Sequence, residues 1–348
     1  MQTIIRKVDE NCIDEMIMKE AGALLKQGAL VAFPTETVYG LGANALDSEA
    51  AAKIYAAKGR PSDNPLIEHI ADMDALPLIT AEIPEAAKKL AAKFWPGPLT
   101  MVMRKSDVVP YGTTGGLDTV AVRMPSHPIA LEMIRHGGGY IAAPSANTSG
   151  RPSPTLASHV ADDMNGIVPL ILDGGAVGIG IESTIVDLTD EIPTILRPGF
   201  ITKEMLQEVV GEVQIDKGLD ADSKTPPKAP GMKYRHYAPK AELMIVEGSS
   251  EAVVAKINAL VRENEEKGIC TGIIGTEETI SRYPAGIVKC MGTRNDELSI
   301  SSHLYGILRE FDESDAKVIY SESFEEGAMG SAIMNRLLKA AGHKIIHV

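Results

Sequence analysis

A proline-rich stretch beyond the middle of the chain constrains the fold most, because it separates two segments with different patterns of apolar residues. Residues 216–239 contain few apolar side chains and four prolines, at positions 226, 227, 230 and 239. Proline fixes φ and lacks an N–H group, so this composition disfavours a helix interior or a central strand. It predicts a linker over 216–239 between an N-terminal domain, 1–215, and a C-terminal domain, 240–348. The length of 348 residues also exceeds that of one typical domain.

The N-terminal segment predicts helices and strands that mix without regular alternation. The helices are expected at 13–27, 48–58 and 84–93, and the strands at 29–33, 99–104, 120–123, 140–143, 168–173 and 183–188. This mixture is typical of a twisted, mostly mixed sheet flanked by helices. The fold class of the segment is therefore α/β.

The C-terminal segment alternates cleanly between strands and helices. The strands are expected at 243–246, 270–275, 287–291, 317–320 and 344–348, and the helices at 250–267, 301–311 and 328–341. Such alternation predicts a smaller, Rossmann-like parallel α/β domain. The first turn of this segment lacks a glycine-rich dinucleotide fingerprint.

Charge and cysteine content exclude several classes of protein. A net charge of −13 argues against a broad, non-specific nucleic-acid surface. The three cysteines lie far apart and form no CxxC pair, which favours a reducing cytoplasm over a disulfide framework or a zinc site. The histidines show no metal-ligand spacing, so no metal site is predicted. We expect neither a signal peptide nor a membrane span.

Two cations lie at the end of the predicted helix 48–58, directly before a rigid polar loop. Lys58 and Arg60 are followed closely by Pro61 and Pro65. Because the prolines restrict the loop, the cations would lose less conformational entropy when they bind a phosphate. A structural reading is the alternative, since cations also stabilise the C-terminal end of a helix dipole. The segment therefore indicates either an anion-binding site or a solvated helix end.

Polar side chains also follow predicted strands, where α/β folds place their ligands. They are the Pro-Thr-Glu-Thr segment 34–37, Arg123, and the pair Ser145 and Asn147. A buried Arg123 needs a partner, and either a bound carboxylate or a structural Asp meets that need. A capping role for 34–37 and a plain turn around Ser145 also remain open. No GxSxG motif surrounds Ser145, so a nucleophilic role for it is not supported.

These segments belong to a larger ordered set of motifs. The set comprises residues 34–42, Lys58-Gly59-Arg60-Pro61, Asn64-Pro65-Leu66 with His69, residues 95–100, Arg123-Met124-Pro125, Ser145-Ala146-Asn147, Ser183-Thr184 and Arg197-Pro198-Gly199. Over about residues 22–200 the chain resembles the YrdC-type threonylcarbamoyl-adenylate synthases. Residues 230–239 and the C-terminal α/β pattern resemble the long, two-domain form of that family.

The resemblance implies an α/β fold with an open cleft and a linker that helps to close the nucleotide site. It also implies a specific reaction. L-Threonine, bicarbonate or CO2, and ATP would give threonylcarbamoyl-AMP and pyrophosphate. The product would supply the threonylcarbamoyl group for the modified adenosine beside the tRNA anticodon. Mg²⁺ would accompany ATP, bound mostly through phosphates and water.

The family pattern also implies residue roles. Lys58 and Arg60 would be catalytic; Thr37, His69, Arg123, Ser145 and Ser183 would bind L-threonine; and Lys58, Arg60, Asn64, Thr119, Asn147, Thr155, Arg197, Tyr234 and His236 would bind ATP. Glu68 stands where the resemblance leads us to expect an apolar residue. We therefore expect it to add negative charge beside the threonine pocket.

Two other functions remain open at this point. An RNA-binding module of the same fold, acting on tRNA or ribosomes, would contact phosphates through five cations, Lys58, Arg60, Arg197, Lys233 and Arg235. A carbamoyl-transfer domain would instead accept carbamoyl phosphate. For the synthase we expect transient docking to the tRNA threonylcarbamoyl transferase machinery, no stable nucleic-acid binding, no membrane association and a cytoplasmic location.

Overall fold

The structure is a computed structural model that describes residues 2–216, 237–324, 327 and 329–348. These residues form two compact units. The first lies within residues 2–216, and the second comprises the residues from 237 onward together with Gly150–Pro152 and Ile179–Ile181. The predicted linker lies almost wholly outside the described residues, so its boundaries at 215/216 and 239/240 stay predictions.

The first unit is built on a mixed sheet, as the sequence predicts. Its eleven strands among the described residues are β1 (Ile4–Lys7), β2 (Val31–Phe33), β3 (Gly40–Asn44), β4 (Ile67–His69), β5 (Leu99–Arg104), β6 (Thr119–Arg123), β7 (Ile141–Ala142), β8 (Leu170–Asp173), β9 (Thr184–Asp187), β10 (Thr194–Arg197) and β11 (Gln214–Ile215). Their order in the sheet is β1-β8-β2-β3-β7-β4-β6-β5-β9-β10-β11. β4 and β6 are parallel, whereas β5 and β6 are antiparallel.

Helices accompany this sheet. They are α1 (Glu15–Lys26), α2 (Ser48–Lys58), α3 (Leu76–Ile79), α4 (Glu85–Phe94), α5 (Tyr111–Thr114), α6 (Pro128–His136), α7 (Ala157–Met164) and α8 (Lys203–Val210), with a short 3₁₀ helix at Met73–Ala75. α2 starts at the predicted residue, but its N-cap is Asp47, whose side chain accepts from the Glu49 N–H. Its C-cap is Gly59, where a φ of 60° favours glycine.

Strand register brings three polar side chains to one face of the sheet. Arg123 of β6 lies directly opposite His69 of β4 and Thr100 of β5. Residues directly opposite each other on neighbouring strands point to the same face. Glu68 precedes His69 on β4 and therefore points to the other face.

The second unit is a five-stranded parallel sheet with helices, which confirms the α/β fold predicted for it. Its elements are β12 (Glu242–Glu247), α9 (Ser250–Glu266), β13 (Thr271–Gly275), a 3₁₀ helix at Ile280–Arg282, β14 (Ile287–Cys290), α10 (Glu297–Asp312), β15 (Val318–Glu322), α11 (Gly330–Ala341) and β16 (Ile345–His347). The strand order is β14-β13-β15-β12-β16, and each neighbouring pair is parallel. In the described parts of the chain, no helix is long and apolar enough to cross a membrane.

Candidate functional site

Arg123 is the central side chain of the candidate site. It ends β6 and is 4% exposed. Its Nη2 donates to Glu36 Oε1 at 2.6 Å, its Nη1 donates to Thr37 Oγ1 at 3.0 Å, and its Nε donates to the Gly97 carbonyl at 3.3 Å. The structural partner left open by the sequence is therefore a carboxylate, but it belongs to Glu36 rather than to an Asp.

Glu36 does not use all the hydrogen-bonding capacity of Arg123. A guanidinium carries five N–H groups, and the three bonds above use three of them. One N–H group on each Nη atom has no partner among the described residues. Two terminal N–H groups are the donors with which arginine binds a carboxylate in a bidentate manner. The site therefore retains the donors that a carboxylate ligand requires.

His69 contributes a neutral imidazole to the same face. Burial, and secondarily the positive charge of Arg123, lower the pKa of His69 to about 3. Its Nδ1 lies 3.1 Å from the Ile67 carbonyl, which can only accept, so Nδ1 carries the proton. The ring of Phe33 packs edge-on against it, with the ring centroids 6.2 Å apart. His69 therefore offers hydrogen bonding and shape rather than positive charge.

The expectation that Glu68 adds negative charge beside the threonine pocket is wrong. Glu68 is fully buried, and neither carboxyl oxygen has a hydrogen-bond partner in the described residues. Burial raises the pKa of Glu68 to about 8, so the carboxyl is predominantly protonated at neutral pH. Its side chain also points away from His69, because successive residues of a strand face opposite sides.

A hydrogen-bonded row begins at Thr100, the residue opposite Arg123 on the neighbouring strand. The Oγ1 of Thr100 is 2.8 Å from Ser183 Oγ. Arg197 donates from Nη2 to Ser183 Oγ at 3.2 Å and from Nε to the Ser183 carbonyl at 3.0 Å. The row connects Ser183, predicted to bind threonine, with Arg197, predicted to bind ATP.

Lys58 holds a second group of predicted site residues together. It ends α2, is 2% exposed, and its Nζ donates to the backbone carbonyls of Ser145 and Asn147. Ser145 Oγ in turn donates to Asn147 Oδ1 at 2.5 Å. The solvated helix end is thus wrong for Lys58, because its ammonium group is buried. The contacts place Ser145 with Lys58 and Asn147, rather than with the Arg123 group.

The loop after α2 forms the edge of this second group. Arg60 donates to the carbonyls of Asn64 and Pro65, at 3.1 to 3.3 Å. Asn64 is 2% exposed, and its Oδ1 has no hydrogen-bond partner in the described residues. Thr119 begins β6, whose paired residues with β4 start at Ala121 and Ile67. Arg60 and Asn64 therefore share one loop, and no hydrogen bond within the described residues joins Thr119 to them.

Of the other residues predicted to bind ATP, the structure describes Thr155 but not Tyr234 or His236. Thr155 is buried, and its N–H donates to His159 Nδ1 at 3.3 Å. The preceding residue, Pro154, accepts from the Tyr39 N–H at 2.9 Å. Tyr234 and His236 lie outside the described residues.

Sequence reasoning missed two residues of the site, Glu36 and Thr100. Glu36 belongs to a motif that was recognised, but no role was inferred for its carboxylate. Thr100 is the polar residue of an otherwise apolar stretch, Leu99–Met103, in a strand that was predicted. A polar residue that interrupts a buried strand is the signal that could have identified it.

In the described parts of the chain, no group of three or more His, Cys, Asp or Glu side chains could hold a metal ion. A Mg²⁺ that arrives with ATP would keep mostly phosphate and water ligands. The buried Asn64 Oδ1, which lacks a hydrogen-bond partner among those residues, is an oxygen that a Mg²⁺-bound water could meet.

Comparison with known proteins gives full-length matches. A family model for Sua5, YciO and YrdC proteins, described as telomere recombination, matches residues 23–199. A model described as the threonylcarbamoyl-AMP synthase C-terminal domain matches residues 201–342. The threonylcarbamoyl-AMP synthase of Bacillus subtilis is 51% identical, with 97% of this chain and 96% of that protein covered.

Two further matches come from Pyrococcus abyssi. Its threonylcarbamoyl-AMP synthase is 51% identical, with 99% of this chain and 100% of that protein covered. A crystal structure of P. abyssi Sua5 complexed with L-threonine is 50% identical and has a TM-score of 0.94. That comparison covers 99% of this chain and 100% of the other.

Proposed function

We propose that this protein makes threonylcarbamoyl-AMP. The chain belongs to the Sua5, YciO and YrdC family and carries the threonylcarbamoyl-AMP synthase C-terminal domain, and this is the premise of the proposal. Its substrates are L-threonine, bicarbonate or CO2, and ATP, and its second product is pyrophosphate. The observation that carries the assignment is the buried Arg123, which keeps two N–H groups for a carboxylate beside neutral His69 and Thr37.

The reaction requires no protein nucleophile. The threonine amine adds to CO2, loses a proton and becomes a carbamate. A carbamate oxygen then attacks the α-phosphorus of ATP, and the bond from that phosphorus to the bridging oxygen breaks to release pyrophosphate. The protein therefore contributes positioning and charge neutralisation. This division of work agrees with a site made of buried cations and hydroxyl groups.

L-Threonine binds on the sheet face that carries Arg123. Its carboxylate takes the two remaining N–H groups of Arg123. Glu36 stays paired with the same guanidinium, so the charge of Arg123 is balanced when the pocket is empty. Thr37, His69 and Ser183 provide hydrogen bonds for the hydroxyl and amine groups. Ser145 is also proposed to bind threonine, although its hydrogen bonds in the structure are with Lys58 and Asn147.

ATP binds beside the loop that follows α2. Its proposed contacts are Lys58, Arg60, Asn64, Thr119, Asn147, Thr155, Arg197, Tyr234 and His236. The first support for this part of the proposal is that Lys58 and Asn147 are in direct contact. The second is that Arg60 and Asn64 share one loop. Mg²⁺ would neutralise charge on the phosphates, and the water shell of the ion would meet Asn64 Oδ1.

The proposed product is unstable in water, which limits how far it can travel before it reacts. A mixed anhydride of a carbamate and a phosphate hydrolyses in water, so it must pass promptly to an acceptor. We propose that it supplies the threonylcarbamoyl group for tRNA, through transient docking to the transferase machinery. The three free cysteines among the described residues agree with work in the cytoplasm, where thiols stay reduced.

Omission of single substrates tests the proposed reaction. Purified protein is incubated with labelled threonine, bicarbonate, ATP and Mg²⁺, and the acyl-adenylate and pyrophosphate are measured. The proposal predicts equal amounts of both products and loss of both when any substrate is left out. Release of pyrophosphate without threonine, or turnover of carbamoyl phosphate instead of bicarbonate, would overturn it.

A further inference from the structure

The second unit contains a topological switch point that the proposed reaction does not use. β12 leads through α9 to β13, which lies beyond β15 in the sheet. β15 leads through α11 to β16, which lies beyond β12 on the other side. The connections that follow the adjacent strands β12 and β15 therefore run toward opposite edges of the sheet. In open α/β sheets, ligands bind in the crevice at the carboxyl ends of two such strands.

A cavity occupies this crevice. Its volume is about 330 Å³, near the lower end of the range for small-molecule sites. It is lined by Glu247, Gly248, Ser250, Val253, Arg294, Glu322 and Ser323. These residues follow the carboxyl ends of β12 and β15 or the end of β14, as the topology requires.

An ion pair between a buried carboxylate and a partly exposed guanidinium forms one wall of the cavity. Glu322 is 2% exposed and accepts from Arg294 Nη2 at 2.6 Å, from Tyr283 at 2.7 Å and from Thr279. Arg294 also donates to the Ser323 carbonyl, at 3.1 Å. The Arg294 side chain is 35% exposed, and an ion pair with a solvent-exposed partner contributes little net stability. The guanidinium is therefore held in place by Glu322 while it remains accessible to a ligand.

Arg294 keeps donors for a ligand. Its bonds to Glu322 and Ser323 use two of its five N–H groups, and the other three have no partner among the described residues. Its guanidinium packs over the Phe324 ring, 5.2 Å from the centroid, which fixes its orientation. Three oriented N–H groups at a cavity wall match a phosphate group.

Acceptors complete the lining. Glu247 borders the same cavity, and its carboxylate is partly exposed, with Oε2 lying 2.7 Å from His347 Nδ1. A neighbouring cavity of about 260 Å³ shares Arg294 and is lined by Glu297, whose buried Oε1 has no hydrogen-bond partner in the described residues. A carboxylate accepts but cannot donate, so Glu297 Oε1 requires a hydroxyl or amine donor, and Glu247 can accept from one beside its contact with His347. Ribose hydroxyl groups are such donors, and carboxylates bind them in α/β folds.

We propose that this crevice binds a phosphorylated ribose, with the phosphate at Arg294 and the ribose hydroxyl groups at the carboxylates. The ligand is a mononucleotide or a pentose phosphate. A dinucleotide does not fit, because the turn from β12 to α9 has one glycine, Gly248, instead of a glycine-rich pyrophosphate loop. The site lies in the second unit and is additional to the proposed acyl-adenylate chemistry.

Methyl NMR of Val253 in the full-length protein tests the site directly. Valine methyl groups are labelled, and the Val253 signal is assigned with Val253→Ile. AMP, ribose 5-phosphate and inorganic phosphate are then titrated separately. We expect AMP, ribose 5-phosphate or both to shift the Val253 signal saturably and at least tenfold more tightly than phosphate. AMP alone would identify a nucleotide, and ribose 5-phosphate alone a sugar phosphate.

Two variants of α9 separate specific from unspecific effects. Ser250→Trp fills the cavity from an exposed position in the first turn, and we expect it to weaken binding at least tenfold. Glu266→Trp places the same side chain at the exposed far end of the helix, and we expect no change. Should Ser250→Trp lose its dispersed methyl spectrum, Ser250→Glu replaces it, with charge repulsion in place of steric block.

Three results would overturn the proposal. The first is a Val253 signal that does not shift with about 10 mM AMP or ribose 5-phosphate. At that concentration, a site with a Kd of about 1 mM would already be nearly saturated. The second is equal binding of inorganic phosphate, and the third is unchanged binding in both Ser250 variants. Because Val253 reports the second unit alone, these outcomes do not depend on acyl-adenylate synthesis.

Discussion

At the scale of single residues, Arg123 combines two functions that normally conflict. A buried guanidinium needs a permanent counter-charge, yet a binding residue needs donors that the ligand can reach. Glu36 meets the first need with one oxygen at 2.6 Å, and its other oxygen accepts from the Ser126 N–H at 3.2 Å. The second need is met by the two N–H groups of Arg123 that Glu36, Thr37 and Gly97 do not use and that have no other partner in the part of the chain described.

Replacement of Arg123 tests this arrangement. Arg123→Ala should reduce threonine affinity by about 10- to 100-fold, or roughly 1.5–3 kcal/mol, because a charged hydrogen-bonded pair is lost. Titration calorimetry with L-threonine measures the change. Arg104→Ala, at the exposed end of β5, is the matched control and should bind threonine normally. Unchanged threonine affinity in Arg123→Ala would remove this residue from the pocket.

Glu68 gives the protein a specific pH dependence of stability. Its folded pKa of about 8 lies above the unfolded value of about 4.5. The folded state therefore holds this proton more tightly, and stability is full below the unfolded pKa and falls as pH rises through the folded one. We expect the free energy of unfolding to fall by roughly 3–5 kcal/mol from this group alone between about pH 5 and 9.

Denaturant unfolding of Glu68→Gln measures that contribution. The variant keeps the size of the side chain but cannot ionise, so its stability should exceed that of the parent protein increasingly as pH rises. Glu82→Gln removes an exposed carboxylate and serves as the control for the change in net charge. If Glu68→Gln and the parent protein lose stability in parallel with pH, Glu68 does not titrate in the folded protein as stated.

At the scale of elements, the C-terminal end of α2 organises one half of the candidate site. Lys58 is held in place by the helix, and its ammonium group joins the carbonyls of Ser145 and Asn147. The Lys58 carbonyl also accepts from the Ser149 N–H at 2.8 Å. The side chain and the backbone of Lys58 therefore both tie this helix end to the segment 145–149.

Lys58→Ala should remove the side-chain tie between the helix end and this segment and slow the reaction. We expect threonine- and bicarbonate-dependent pyrophosphate release to fall by about 10²-fold, the order seen when one positioned donor is removed from an active site. Lys53→Ala is the control, because its ammonium group also binds a carbonyl, that of Gly28, from the same helix. Normal turnover of Lys58→Ala would reject the role assigned to Lys58.

Elements with a clear start signal or an apolar run could be predicted from the sequence, and others could not. α2, with Ser48 and Glu49 at its start, and β5, with its apolar run, have the predicted bounds. β3, with the sequence Gly-Leu-Gly-Ala-Asn, was missed because its glycines conceal the strand pattern. β4 was missed because it has only three residues and ends in Glu68 and His69. α10 starts at Glu297 rather than at the predicted 301, because Asp296 provides the cap.

In the candidate site, too, some features could be predicted from the sequence and others could not. Cations and hydroxyls at strand ends were recognised, since such positions are functional in α/β folds. The pairing of Arg123 with Glu36 and the link from Thr100 to Ser183 could not be predicted, because both depend on strand register between distant segments. The charge state of Glu68 was misjudged for a related reason, since only the fold shows which face of β4 it occupies.

At the scale of the whole molecule, net charge separates the synthase from an RNA-binding module. The chain carries −13 overall, and Lys58, Arg123 and Arg197 are all buried. We therefore expect the full-length protein to bind tRNA weakly, and to show little dependence of that binding on salt. Filter binding over a range of KCl concentrations measures this. Tight binding with a steep salt slope and no ATP turnover would favour the RNA-binding module.

The central claim is that one pocket holds an amino acid and a nucleotide together. A crystal structure of the full-length protein with L-threonine, Mg²⁺ and a non-hydrolysable ATP analogue tests it most directly. The account predicts the threonine carboxylate on the two remaining N–H groups of Arg123, and the phosphates beside Lys58 and Arg60. Threonine bound away from Arg123, or a nucleotide bound away from Lys58 and Arg60, would contradict it.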